Sequence, residues 1–141
     1  MRDLRVVLDT NVIVSAHLNA DGLERYVLDL ALNKHLECFV TEEILEEYAL
    51  VLYRPKFKLV KHMVSASVQL IRKQARIVRP ERTLSITVDP SDNRFLECAE
   101  TADAHYLVSG NKRHFPSRWK NTQIVNAREL LNLIVPSGSR D

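Results

Sequence analysis

The stretch that most constrains this chain is Arg5-Val6-Val7-Leu8-Asp9-Thr10-Asn11-Val12-Ile13-Val14, an apolar run that stops on a carboxylate and then resumes. Buried-type residues on both faces, two of the three β-branched, read as a central strand of a parallel sheet rather than a half-exposed antiparallel one. In an open α/β sheet the ligand crevice lies beyond the carboxyl ends of the strands, where Asp9, Thr10 and Asn11 would stand. A plainer role is open to the same residues, since Asp9 or Thr10 also reads as the N-cap of a helix starting around Val12.

The rest of the chain repeats the strand-then-helix pattern. Helical spacing predicts Val12 to Leu18 and Leu23 to Leu32, parted by Asn19-Ala20-Asp21-Gly22. Leu36 to Val40 reads as a second strand. Thr41 caps a helix that Arg54-Pro55 ends, because a residue before proline is pushed out of the α region. A helix from about Leu59 to Ala75 and a short strand from Arg76 to Arg79 follow. Asp89-Pro90-Ser91-Asp92-Asn93 opens a helix from Arg94 to Ala102, and Ala104 to Val108 is another buried strand. Ile124-Val125 is the last strand, and Asn126 to Glu129 has capping-box spacing before a final helix to Ile134. Such alternation predicts a three-layer α/β/α sandwich around a mostly parallel sheet, one domain over residues 1–135 with a loose tail at 136–141.

Further acids fall where they can join Asp9. On the helix after Thr41 the apolar stripe is Ile44, Leu45, Tyr48, Val51 and Leu52, and Glu47 lies nearest its edge, with Glu43 second. Asp92 precedes Phe95, Leu96 and Ala99 by three, four and seven residues, so it points toward the buried side. Glu97 and Glu100 read as outward and structural. Ser109-Gly110-Asn111 ends another strand at the same edge. Clustered acids near a core demand a partner, and oxygen-only donors suit Mg²⁺ or Mn²⁺.

Other chemistries find little support. Cys38 and Cys98 lack ligand spacing and read as reduced core residues, and the histidines share no metal-binding motif. No apolar run approaches the roughly 20 residues of a membrane span, and the N-terminus lacks a signal-peptide pattern, so a cytoplasmic protein without a membrane partner is expected. The net charge of +2 hides an asymmetry: residues 54–82 hold nine basic residues against one acid, Glu81. On the helical wheel Lys61, Arg72 and Arg76 form a basic stripe that suits a polyanion, or a merely solvated face.

Taken in order, Val6-Val7-Leu8-Asp9-Thr10-Asn11-Val12, then Thr41-Glu42-Glu43-Ile44-Leu45-Glu46-Glu47-Tyr48 with Arg54-Pro55-Lys56-Phe57, then Asp89-Pro90-Ser91-Asp92-Asn93-Arg94-Phe95-Leu96 with Leu107-Val108-Ser109-Gly110-Asn111, resemble the PIN-domain nucleases. More narrowly they resemble the toxins of toxin–antitoxin pairs related to VapC. The resemblance implies a metal-dependent endoribonuclease that cleaves single-stranded RNA at an acidic Mg²⁺ or Mn²⁺ site. It carries the catalytic and metal-binding acids onto Asp9, Glu47 and Asp92. Asn111 takes the fourth ligand position, where the family often has aspartate, and Asn11 and Ser109 orient waters or a carboxylate behind them. Lys112 and Arg113, with Lys61, Arg72 and Arg76, become candidates for holding the RNA backbone. The implied partners are single-stranded RNA, a cognate antitoxin and a second copy of the chain. The amide at Asn111 removes one negative charge, so a domain that binds RNA or a protein without cutting is the alternative. On this reading the three acids crowd together closely enough to share an ion.

Overall fold

The computed structural model describes residues 4–134. Residue 135 and the tail expected at 136–141 lie outside the described residues. Six strands form one sheet in the order β3-β2-β1-β4-β6-β5: β1 (Arg5–Leu8), β2 (Glu37–Val40), β3 (Arg76–Ile77), β4 (Tyr106–Val108), β5 (Arg118–Trp119) and β6 (Thr122–Val125). All pairings are parallel except β5 with β6. Helices flank the sheet, as the alternating pattern requires. Helix α5 (Pro90–Ala102) lies over β1, β2 and β4, while α1 (Thr10–Leu18), α2 (Leu23–Leu32), α4 (Lys61–Gln74) and α6 (Ala127–Ile134) pack on one another. Helix α3 (Glu42–Leu52) touches both α1 and α5.

The strand order places the topological switch between β1 and β4. From β1 the chain runs outward through β2 and β3, and from β4 it runs the other way through β6, so the crossovers diverge and leave a crevice at that point. Register sets what faces it: Leu8 pairs with Val108, so the next residues, Asp9 and Ser109, emerge side by side. Beneath them the core is apolar and closed. Val6, Val7, Leu8, Leu107 and Val108 are fully buried, and the Tyr48 hydroxyl donates to the Leu8 carbonyl.

Several local expectations shift. Helix α1 starts at Thr10, not near Val12, because the Asp9 carboxylate itself accepts the Thr10 amide at 2.8 Å. Helix α5 starts at Pro90 rather than Arg94, since Asp89 caps it and proline at the first helical position has no N–H to satisfy. The β5 strand went unread because Arg118-Trp119 is too short to show periodicity. It exists only as the partner of β6. Glu97 turns inward: it is 5% exposed and accepts the Leu84 amide at 2.9 Å, pinning the loop that precedes α5. The two cysteines are free and buried, and burial raises the Cys38 thiol to about 12, so neither is a ready nucleophile. Among the described residues no helix is long and apolar enough to cross a membrane.

Candidate active site

Asp9 both caps a helix and lines the crevice. Its Oδ1 holds the first turn of α1 through the Thr10 amide, which leaves Oδ2 to accept from Ser109 Oγ at 2.7 Å and Asn11 Nδ2 at 3.1 Å. Ser109 is wholly buried and in turn accepts the Asn111 amide at 2.9 Å, while Asn11 Oδ1 accepts the Gly110 amide at 2.9 Å. The loops after β1 and β4 are thereby tied to each other through side chains.

The second acid comes from α3. Thr41 caps that helix by accepting the Ile44 amide at 3.0 Å, fixing its rotation so that Tyr48 goes into the core and Glu47 to the crevice edge. Thr10 Oγ1 donates to Glu47 Oε2. Glu43 instead pairs with Arg94 at 3.1 Å and stays outside the crevice. The third acid, Asp92, sits in the first turn of α5 with His114 Nδ1 3.7 Å from its Oδ2. Asp9, Thr10, Asn11, Glu47, Asp92, Asn111 and His114 line one crevice of about 520 Å³, together with Asp89, Arg54, Lys56 and Phe57.

The acids feel one another. Burial, followed by the charges of Asp9 and Asp89, pushes the Asp92 carboxyl up to about 6. Burial also raises Asp9, against the hydrogen bonds from Ser109 and Thr10 that favour its charged form. Glu47 is raised by burial and by the charges of Asp9 and Asp89, while Thr10 pulls the other way. Mutual repulsion of this kind is relieved by a cation.

A hard divalent cation takes carboxylate and amide oxygens, which is the donor set of Asp9, Glu47, Asp92 and Asn111, so the chemistry fits. The crowding expected from the sequence is looser. Among the described residues no three His, Cys, Asp or Glu side chains are gathered tightly enough to hold one ion. Hydrogen bonds explain the spread: Ser109 and Asn11 hold one Asp9 oxygen and Thr10 holds Glu47, so neither carboxylate needs to swing toward Asp92.

The family model described as PIN domain matches residues 5–113. The chain belongs to the PIN-domain family. Its members generally act as nucleases and use divalent metal ions. An uncharacterized protein of Methanocaldococcus jannaschii is 25% identical over 112 residues, 77% of this chain and 72% of that protein. The crystal structure of VapBC2 from Rickettsia felis, bound to a DNA fragment from their promoter, matches 87% of this chain and 98% of its own with a TM-score of 0.58 and 17% identity, which shows a shared fold.

Other sequence candidates lie outside this PIN domain's crevice. Arg72 is engaged with Glu42 at 2.8 Å, Arg76 with Glu37 at 2.7 Å and Lys112 with Glu129 at 2.8 Å. Lys61 and Arg113 are exposed elsewhere. The basic stripe drawn on a helical wheel is thus partly neutralised by acids of neighbouring elements, which a single-helix projection does not contain. Sequence reasoning also passed over Asp89, Arg54, Lys56, Phe57 and His114 as site residues. Asp89 was legible, being one helical turn before Asp92. His114 was not, because the turn of residues 112–114 brings it back over the crevice.

Proposed function

We propose that this PIN domain is a metal-dependent endoribonuclease acting on single-stranded RNA, and that it is the toxin of a toxin–antitoxin pair. The observation that carries the nuclease reading is the crevice at the β1/β4 switch, which Asp9, Glu47 and Asp92 line from three remote parts of the chain, with the charge of Asp9 adding to burial in raising the other two. Asp9, Glu47 and Asp92 would hold Mg²⁺ or Mn²⁺, with Asn111 as a fourth, neutral donor. When bound, such an ion lowers the pKa of a water and offsets charge on the scissile phosphate.

The chain's own residues set the stage. Ser109 and Asn11 favour the charged form of the Asp9 carboxylate against its burial and fix its direction, and Thr10 does the same for Glu47. His114, beside Asp92, supplies a donor near the mouth, where a phosphate oxygen would arrive. The toxin role is supported by fold likeness to a chain of VapBC2 from Rickettsia felis. On that reading a cognate antitoxin covers the acidic crevice, and the chain pairs with a second copy through helical faces. We place the protein in the cytoplasm, with the PIN domain ending near residue 135.

A second reading has its own observation. With Asn111 in place of an acid and no group of three ligands among the described residues, the domain holds RNA or a protein partner without cutting. Purified protein incubated with single-stranded RNA and Mn²⁺ separates the two. Cleavage that disappears in Asp9→Asn supports the nuclease. Tight binding with no products, at any metal concentration, supports the binder and ends the enzymatic proposal.

A further inference from the structure

The crevice contains four acids, Asp9, Glu47, Asp89 and Asp92, and a polyanion entering it needs positive charge at the rim. The lining provides it in one place, the tight turn Arg54-Pro55-Lys56-Phe57. Among the described residues neither Arg54 nor Lys56 makes an ion pair, whereas Arg72, Arg76, Arg82 and Lys112 are all engaged with carboxylates. Phe57 is the aromatic residue of the crevice lining and is half-buried. Lys56 Nζ rests 5.2 Å from its ring centroid, an exposed contact weak enough to exchange for a phosphate.

The turn is also rigid. Pro55 fixes its own φ, the Phe57 amide donates to the Arg54 carbonyl at 3.1 Å, and the Lys58 amide donates to the Pro55 carbonyl at 3.0 Å. Lys58 closes it with φ of 54°, a left-handed conformation that a side chain adopts only where its surroundings enforce it. A ring and two cations that make no ion pair among the described residues, held beside the acidic crevice, have the makings of a single-strand grip: cations track the backbone, and a flat apolar face takes an unstacked base.

We propose that Arg54, Lys56 and Phe57 grip a single RNA strand, Phe57 stacking a base next to the scissile phosphate, so that unpaired RNA is selected over duplex. The inference rests on the ribonuclease reading above and adds the residues that choose the substrate. A duplex cannot use Phe57, because its base faces are already stacked.

The test uses the full chain carrying Asp9→Asn, a fluorescein-labelled mixed-sequence RNA strand, and the same strand annealed to its complement, read by fluorescence anisotropy over a salt series. Phe57→Leu keeps apolar bulk but loses the π-face. It should weaken single-strand binding about tenfold and leave duplex binding unchanged, while Phe57→Trp keeps wild-type affinity. Arg54→Gln and Lys56→Gln should weaken both forms and flatten the single-strand salt slope by about 0.7 each. Single-strand affinity of Phe57→Leu within twofold of its parent, or equal loss on duplex, overturns the grip. If the Asp9→Asn chain binds neither RNA and wild-type protein with Mn²⁺ cleaves none, the grip and the ribonuclease reading fall together; if wild-type protein cleaves, binding is read on it and on its Phe57→Leu variant with a chelator in place of the metal. If wild-type protein cleaves RNA and Phe57→Leu binds as before, only the grip falls.

Discussion

Replacing Asp92 with asparagine should make the metal-free protein more stable at neutral pH while abolishing its activity. The folded environment lifts the Asp92 carboxyl from 3.8 to about 6, chiefly by burial and then by the charges of Asp9 and Asp89. An acid whose folded pKa exceeds its unfolded one binds more protons folded than unfolded, so stability falls as pH rises from about 4 through 6 and stays low above. At about 1.4 kcal/mol per unit the shift corresponds to roughly 3 kcal/mol. The side chain is 15% exposed at the crevice mouth, and water there screens part of the effect, leaving about 1.5–3 kcal/mol. Asparagine keeps the shape and removes the charge. Urea unfolding with a chelator present, at pH 8 and at pH 4, reads the difference. The variant should exceed wild type by that amount at pH 8 and by only about 0.5 kcal/mol at pH 4, where the folded Asp92 carboxyl is neutral and its unfolded counterpart about half ionised. Replacing the chelator with Mn²⁺ should narrow the gap, because an ion that binds only the folded wild type stabilises it by mass action. A variant less stable than wild type at pH 8, or a gap that ignores pH, would refute the charge-repulsion argument.

Thr10→Val removes the donor to Glu47 and should push the Glu47 titration further up, weakening Mn²⁺ binding about tenfold by calorimetry, with helix α1 intact because Asp9 remains its cap. Asn111→Asp adds a fifth carboxylate to the crevice lining, a fourth to the proposed ligand set, and should tighten Mn²⁺ about tenfold, measured the same way; unchanged affinity would remove Asn111 from the ligand set. Glu97→Ala strips the acceptor from the buried Leu84 amide and should cost about 1–3 kcal/mol in urea unfolding without altering metal affinity.

Much of this protein was legible in its residues because the patterns are local. A fully apolar strand ending in a carboxylate, Thr41 ahead of an amphipathic helix, and the reciprocal capping of Asn126 and Glu129, seen at 2.8 Å in both directions, are decided within one helical turn. Periodicity also put Glu47 ahead of Glu43, and its place at the crevice edge follows from the rotation that Thr41 fixes and Tyr48 locks into the core. The same one-helix reasoning failed where partners come from elsewhere. Glu97 looked outward until the preceding loop laid its Leu84 amide against it, and Arg72 and Arg76 looked free until Glu42 and Glu37 came alongside.

What the residue order determined by itself is therefore the alternating strand and helix plan and the side chains that end each strand, since these depend on propensity and spacing over a few residues. Only the tertiary structure decided which charges meet. The switch between β1 and β4 brings together Asp9, Ser109, Asp92 and His114 across about a hundred residues of chain, and the turn at Arg54 sets its cations at their rim. Electrostatic interactions depend on separation in space, and separation along the chain carries almost no information about that until the sheet has formed.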